Sequence, residues 1–205
     1  MLPYSEFCVA QQLARVLPSA NGYSLYVPVS RQQQGIDLML ARRRGRRVRV
    51  ASIQVKSSRT YSHPTSPARS RPHFRYYTWF NNFDCPPQAD LFCLVSLYPA
   101  VDTAQRREIG TWWAPQILVF TQKEMQQFLR TVRTVGGKRD AMFGFGFDGP
   151  GHAFQTRGTR HGATVIFRST CYHGGLLCCE GSCLLSDELP NTACSRRRAP
   201  RRAKS

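Results

Sequence analysis

Asp37, Gln54 and Lys56 bracket a short basic segment, at a spacing that suits the two strands of one hairpin. With the turn centred on Gly45 to Arg47, Asp37 lies across from Gln54 to Lys56. Gln54 and Lys56 are two apart and share a strand face, whereas Ile53 and Val55 take the other. One side of the hairpin therefore packs, and the other gathers a carboxylate, an amide oxygen and an ammonium. Glu6 joins this set by a separate route. It precedes Ala10, Leu13 and Leu17 by four, seven and eleven residues, so it lies on the inward stripe of an N-terminal helix. Glu6 and Asp37 are the only acids in the first 83 residues, against thirteen Arg or Lys, and Lys56 is the only lysine before position 123. A compact ammonium can sit against a scissile phosphate, whereas the planar fork of Arg prefers a bidentate role.

The elements that must position these groups follow from periodicity and turn signals. Tyr4 to Leu17 predicts a helix with Val9, Ala10, Leu13, Val16 and Leu17 inward, stopped by Pro18 and Gly22. Tyr23 to Val29 alternates like a short strand. Ile36 to Leu40 and Val48 to Lys56 are the hairpin strands around the basic turn. Thr60 to His73 is a Pro/Ser/Arg loop, and Phe74 to Phe83 is an aromatic stretch of undetermined structure. Ala89 to Leu97 and Gln116 to Phe120 read as buried strands. Gln122 to Val132, opened by Thr121, is an amphipathic helix with Met125, Phe128, Leu129 and Val132 inward. The order implies an α/β domain, a mixed β-sheet flanked by helices. Gly149-Pro150-Gly151 divides this domain, 1–150, from a Gly-, Cys- and Arg-rich tail, 151–205, expected to be irregular.

Glu6, then Gly35-Ile36-Asp37, then Ile53-Gln54-Val55-Lys56 resembles the active-site signature of the PD-(D/E)XK nuclease superfamily. The closer likeness is to its Gln-x-Lys branches: type I restriction nuclease domains, some intron-encoded endonucleases and relatives of Holliday-junction resolvases. The likeness is specific over about residues 1 to 60, and Ile36 and Gln54 depart from the eponymous Pro and second acid. It implies a restriction-endonuclease-like fold and a metal-dependent endonuclease that hydrolyses DNA phosphodiester bonds. It also implies roles: Asp37 the principal metal ligand, Gln54 a weaker one, Glu6 the helix-borne acid completing the site, and Lys56 positioning water or stabilising phosphate charge. The metal would be Mg2+ or Mn2+, since hard oxygen donors favour these and disfavour zinc.

Composition narrows the alternatives. Twenty-nine Lys and Arg against twelve Asp and Glu give +17, which points to a polyanionic partner, here DNA. Arg42, Arg43, Arg44, Arg46, Arg47 and Arg59 are the expected phosphate contacts, flanking the site. Tyr76, Tyr77, Trp79 and Phe80 read either as core or as stacking surfaces for unpaired bases. The apolar run from Ala89 to Val101 is interrupted by Asp90 and Pro99 and is too short to span a bilayer. No basic segment followed by an apolar stretch opens the chain, so a cytoplasmic protein with no membrane partner is expected. Monomer and homodimer both stay open. Cys8, Cys85 and Cys93 read as reduced core thiols, and Cys171, Cys178, Cys179, Cys183 and Cys194 lack the usual zinc spacing. No Gly-x-Ser-x-Gly elbow or Walker pattern is present. Three rivals remain: a silent nuclease fold that binds DNA, a basic interaction protein without catalysis, and an ordinary hairpin whose Lys56 pairs with Asp37.

Overall fold

A computed structural model of the chain describes residues 3–29, 35–62, 74–100, 112–149, 151–158, 164–168 and 176–178. Helix α1 (Tyr4–Val16) is followed by a 3-10 turn (Ser19–Asn21) and strand β1 (Tyr23–Tyr26). Strands β2 (Leu38–Arg44) and β3 (Arg47–Ser58) form the expected hairpin, closed by Gly45 and Arg46 with φ +61° at Gly45. Then come β4 (Thr60–Ser62), β5 (Tyr76–Asn81), β6 (Leu91–Pro99) and β7 (Trp113–Thr121). Helix α2 (Gln122–Thr131) leads to β8 (Met142–Phe147), β9 (His152–Arg157), β10 (Thr164–Arg168) and β11 (Leu176–Cys178).

These strands make two sheets. The first has the order β1-β2-β3-β6-β7-β11, with β6 parallel to β3 and β11 parallel to β7. The second, β10-β9-β8-β5-β4, is antiparallel throughout. The chain passes from the first to the second through Arg59, where β3 gives way to β4.

The first sheet is mixed, as expected, but its layers differ from a sheet flanked by helices. On one face α1 lays Val9 and Leu13 against Leu38, Leu40, Ile53, Val55, Cys93, Val95 and Ile117. On the other, Phe92, Leu94, Leu118 and Phe120 meet Phe80, Phe143, Phe145 and Ala153 of the second sheet, with Met125, Phe128 and Val132 from α2 and its end. Rings there meet face and edge: Phe128 is edge-on to Phe143 at 5.1 Å and stacked on Phe145 at 5.9 Å. Such a ring removed from water contributes about 2 kcal/mol or more each. The aromatic stretch divides accordingly, Tyr76 and Phe80 inward and Tyr77 and Trp79 outward.

Local signals explain the helix boundaries. Thr121 accepts the Glu124 amide while Glu124 accepts the Thr121 N–H at 2.8 Å, a reciprocal cap that starts α2. The expected division at Gly149-Pro150-Gly151 falls between β8 and β9, which pair; Ala153 of β9 is fully buried in the shared core. The remaining cysteine-rich and arginine-rich tail, 179–205, lies outside the described residues, as do 63–73 of the Pro/Ser/Arg loop and the side chains of β10 and β11. Among the described residues no helix is long and apolar enough to cross a membrane.

Candidate active site

The register of the hairpin decides which side chains meet. Leu38 pairs with Ile53 in the last rung of the ladder, and Asp37 stands just before it, outside β2. The Asp37 N–H donates to the Ile53 carbonyl at 2.9 Å, and the Val55 N–H donates to Asp37 Oδ2 at 2.7 Å. The Asp37 carboxylate thus replaces the next rung of the ladder beyond the end of β2. Its other oxygen, Oδ1, has no hydrogen-bond partner among the described residues. A half-buried carboxylate held by a charge-assisted bond to a strand amide is fixed in direction.

Gln54 is 5% exposed, and its Oε1 is buried without a hydrogen-bond partner among the described residues. A buried carbonyl oxygen left alone costs about 1–3 kcal/mol. Lys56 is two residues further along the same face, about 7 Å away, and is exposed. It makes no ion pair with Asp37, so the plainer reading of the hairpin as a neutralised Asp–Lys pair does not describe this arrangement.

Glu6 is buried at 8% exposure on the inward side of α1, as its spacing predicts. That helix covers the Ile53 and Val55 face, so Glu6 belongs to the layer on the opposite side of the sheet from Gln54 and Lys56. The helix stripe was legible in sequence, whereas the sheet face that it covers was not.

Gly35 opens the site. Its φ of +84° and the position of a Cβ there, 2.8 Å from Pro86 Cγ and 3.9 Å from Gln54 Nε2, leave room for no side chain. The loop before β6 can therefore close over the entry to β2 beside Gln54.

One supporting pair was missed by the sequence reading. Ser52, on the same face as Gln54, donates its N–H to Asp90 Oδ2 at 2.7 Å and its hydroxyl to the same oxygen at 2.7 Å. Asp90 returns its own N–H to the Ser52 carbonyl at 3.0 Å. This clamp fixes the register of parallel strands β3 and β6 at the site end. An Asp immediately before an apolar strand, and a Ser in line with Gln54, were the signals that could have found it.

The arginines divide by distance. Arg42, Arg43, Arg44, Arg46 and Arg47 stand toward the closed end of the hairpin, some five to eight residues or roughly 17–26 Å from Asp37. They do not flank the site as expected, because an antiparallel hairpin puts its turn at the opposite end from its open mouth. Arg42 is partly used internally, its guanidinium 5.1 Å over the Tyr23 ring. Arg43, Arg44, Arg46 and Arg47 are exposed, as is Arg59, only three residues beyond Lys56.

Among the described residues no group of three or more His, Cys, Asp or Glu side chains could hold a metal ion. The oxygen donors that the hairpin juxtaposes are one carboxylate and one amide. Burial pushes the Cys8 thiol up from the ordinary range, against a smaller lowering by the Tyr4 hydrogen bond. No family model matches this chain, and comparison with curated proteins and with solved structures returns no match.

Proposed function

We propose that the chain is a metal-dependent endonuclease of PD-(D/E)XK type, in its Gln-x-Lys form, that hydrolyses DNA phosphodiester bonds. The observation that carries this reading is the gathering of Asp37 and Gln54 at the hairpin mouth, each with an oxygen that lacks a partner among the described residues, with exposed Lys56 on the same strand face as Gln54. The helix, the β1-β2-β3 meander and a strand β6 parallel to β3 support the mixed-sheet core that the resemblance implies.

The donor chemistry fits Mg2+ or Mn2+. Asp37 Oδ1 and Gln54 Oε1 are hard oxygen donors on adjacent strands, and Mg2+ is commonly held by one or two carboxylates plus substrate oxygens. When bound, the ion would supply charge neutralisation at the phosphate and a more acidic water. The chain's own residues do the rest. The Val55 N–H holds the Asp37 carboxylate in one orientation. Lys56 offers its ammonium to the charge that develops on phosphate oxygens. Arg59 and the arginines of the hairpin turn hold the DNA backbone without reading sequence. With one negative charge where two are usual, metal affinity depends strongly on the substrate's own phosphate.

Replacing Gln54 with Glu tests this reading by metal binding alone. Mn2+ titration followed by its paramagnetic resonance signal should show tighter binding in Gln54→Glu than in the parent, and loss of the gain when Asp37→Asn is added. Equal binding by all three proteins would remove Gln54 and Asp37 from the metal site.

A further inference from the structure

The outward face of the second sheet carries a row of aromatic rings laid over glycines. Tyr61 of β4 pairs directly with Tyr77 of β5, and the same register continued sets Arg59 across from Trp79. Tyr61 lies 4.8 Å from Trp79, and Tyr77 lies 6.1 Å from Trp79 with planes 15° apart. On the neighbouring strand the facing residues are Gly144 and Gly146, because the Phe-Gly alternation of β8 sends Phe143, Phe145 and Phe147 into the core. A Cβ at Gly144 would fall 2.2 Å from Trp79 Cδ1, so the indole lies directly on the bare backbone. The row continues beyond Tyr77 through Phe74 at 6.0 Å to Phe154, whose ring stacks on Phe74 at 4.9 Å.

These rings sit on hydrogen-bonded strands and are not fully covered. Tyr61 is 47% exposed, and Tyr77, Trp79 and Phe154 are half-buried. The Tyr77 hydroxyl accepts the Phe74 N–H at 3.0 Å, and the Ser58 hydroxyl donates to the Trp79 carbonyl, which fixes the strand under the indole. The surroundings are cationic: Arg59 on the same face as Tyr61 and exposed Arg75 one residue before β5, in a chain of +17.

We infer that this face binds unpaired nucleobases, with Tyr61, Tyr77 and Trp79 as stacking surfaces and Arg59 and Arg75 as phosphate contacts. Flat π-faces accept any base, and only a strand whose bases are not paired can present them. Charge complementarity favours a nucleic acid over an apolar protein partner. The inference deepens the nuclease reading and in that respect rests on it: the substrate would carry a single-stranded stretch, bound beyond Lys56 along the strand that runs through Arg59 to Tyr61.

Binding measured without cleavage separates the two claims. The full-length protein in EDTA is titrated against fluorescein-labelled oligo-dT of about 15 nucleotides and against a blunt duplex of the same length. Tyr61→Leu and Tyr77→Leu should each weaken oligo-dT binding about fivefold or more, with duplex binding changed less than about twofold, and Tyr61→Phe should keep parent affinity. Photocrosslinking of parent protein to oligo-dT carrying 5-iododeoxyuridine should mark peptides spanning 59–62 or 76–81, a result independent of any variant's folding. If the Leu variants bind oligo-dT like the parent, or crosslinks fall elsewhere, the stacking face is wrong and the nuclease site stands. If the parent binds neither oligo-dT nor duplex, both readings fall.

Discussion

Under the proposed function Asp37 would have two separable duties, and two substitutions divide them. Its Oδ2 accepts the Val55 N–H at 2.7 Å, with Val55 buried between β2 and β6, while Oδ1 has no hydrogen-bond partner among the described residues. Asp37→Ala removes the acceptor and strands a buried amide, which costs about 1–3 kcal/mol. For a chain of this size each kcal/mol shifts Tm by about 2–4 °C, so the Ala variant should melt about 2–12 °C below the parent. Asp37→Asn keeps an oxygen able to accept the same N–H and loses only the charge-assisted part, less than about 1 kcal/mol, within a few degrees of the parent. Both variants should lose cleavage, because neither keeps the carboxylate. Thermal melts by circular dichroism, beside plasmid cleavage, read the two duties separately. If Asn destabilises as much as Ala, the negative charge itself holds the hairpin mouth. If Asn cleaves like the parent, Asp37 is structural only.

Three further outcomes follow from other parts of the molecule. Arg43, Arg44, Arg46 and Arg47 replaced by Ser should weaken DNA binding and flatten its salt dependence by about one unit for each phosphate no longer neutralised, with the melting temperature unchanged; unaltered affinity would make the hairpin tip plain surface. Gly144→Ala forces a methyl into Trp79 and to 2.9 Å from the Thr78 carbonyl, so it should destabilise the chain by about 1–3 kcal/mol in urea and change the tryptophan emission; a neutral result would mean the indole does not lie on β8. Alkylation at about pH 8, followed by peptide mapping, should modify half-buried Cys85 before buried Cys8 and Cys93, because reagent reaches it first; burial raises the thiols of both Cys8 and Cys85, and Asp84 adds to the rise at Cys85. Reaction at Cys8 first would contradict the packing of α1 on the sheet.

What the sequence disclosed depended on how local the determinants were. The hairpin and its register were legible, because a glycine turn and alternating Leu38, Leu40, Ile53 and Val55 admit few pairings. Helix α2 was legible from Thr121 and Glu124, a cap made within four residues. The second sheet was not. Met142–Phe147 alternates Phe with Gly, and glycine reads as loop unless the rings that cover it, Trp79 and Phe74, are known to come from elsewhere. For the same reason the aromatic stretch could not be divided into core and surface until β5 was seen between β4 and β8. The distance of the Arg42–Arg47 turn from Asp37 was implicit in the hairpin but overlooked, whereas the layer of Glu6 depended on which sheet face α1 covers, a tertiary matter.

Cleavage of DNA at the mouth of the β2-β3 hairpin, as proposed, is tested most directly by one comparison. Parent protein and the double variant Asp37→Asn with Lys56→Ala are incubated with supercoiled plasmid and with branched and single-stranded DNA, in Mg2+, in Mn2+ and in EDTA. Cleavage by the parent is expected with either metal, none in EDTA, and at least about a hundredfold loss in the double variant, as removal of a proposed metal ligand and charge-stabilising group requires. Cleavage by the double variant at the parent's rate, or a parent inert on every DNA form with both metals, would contradict it.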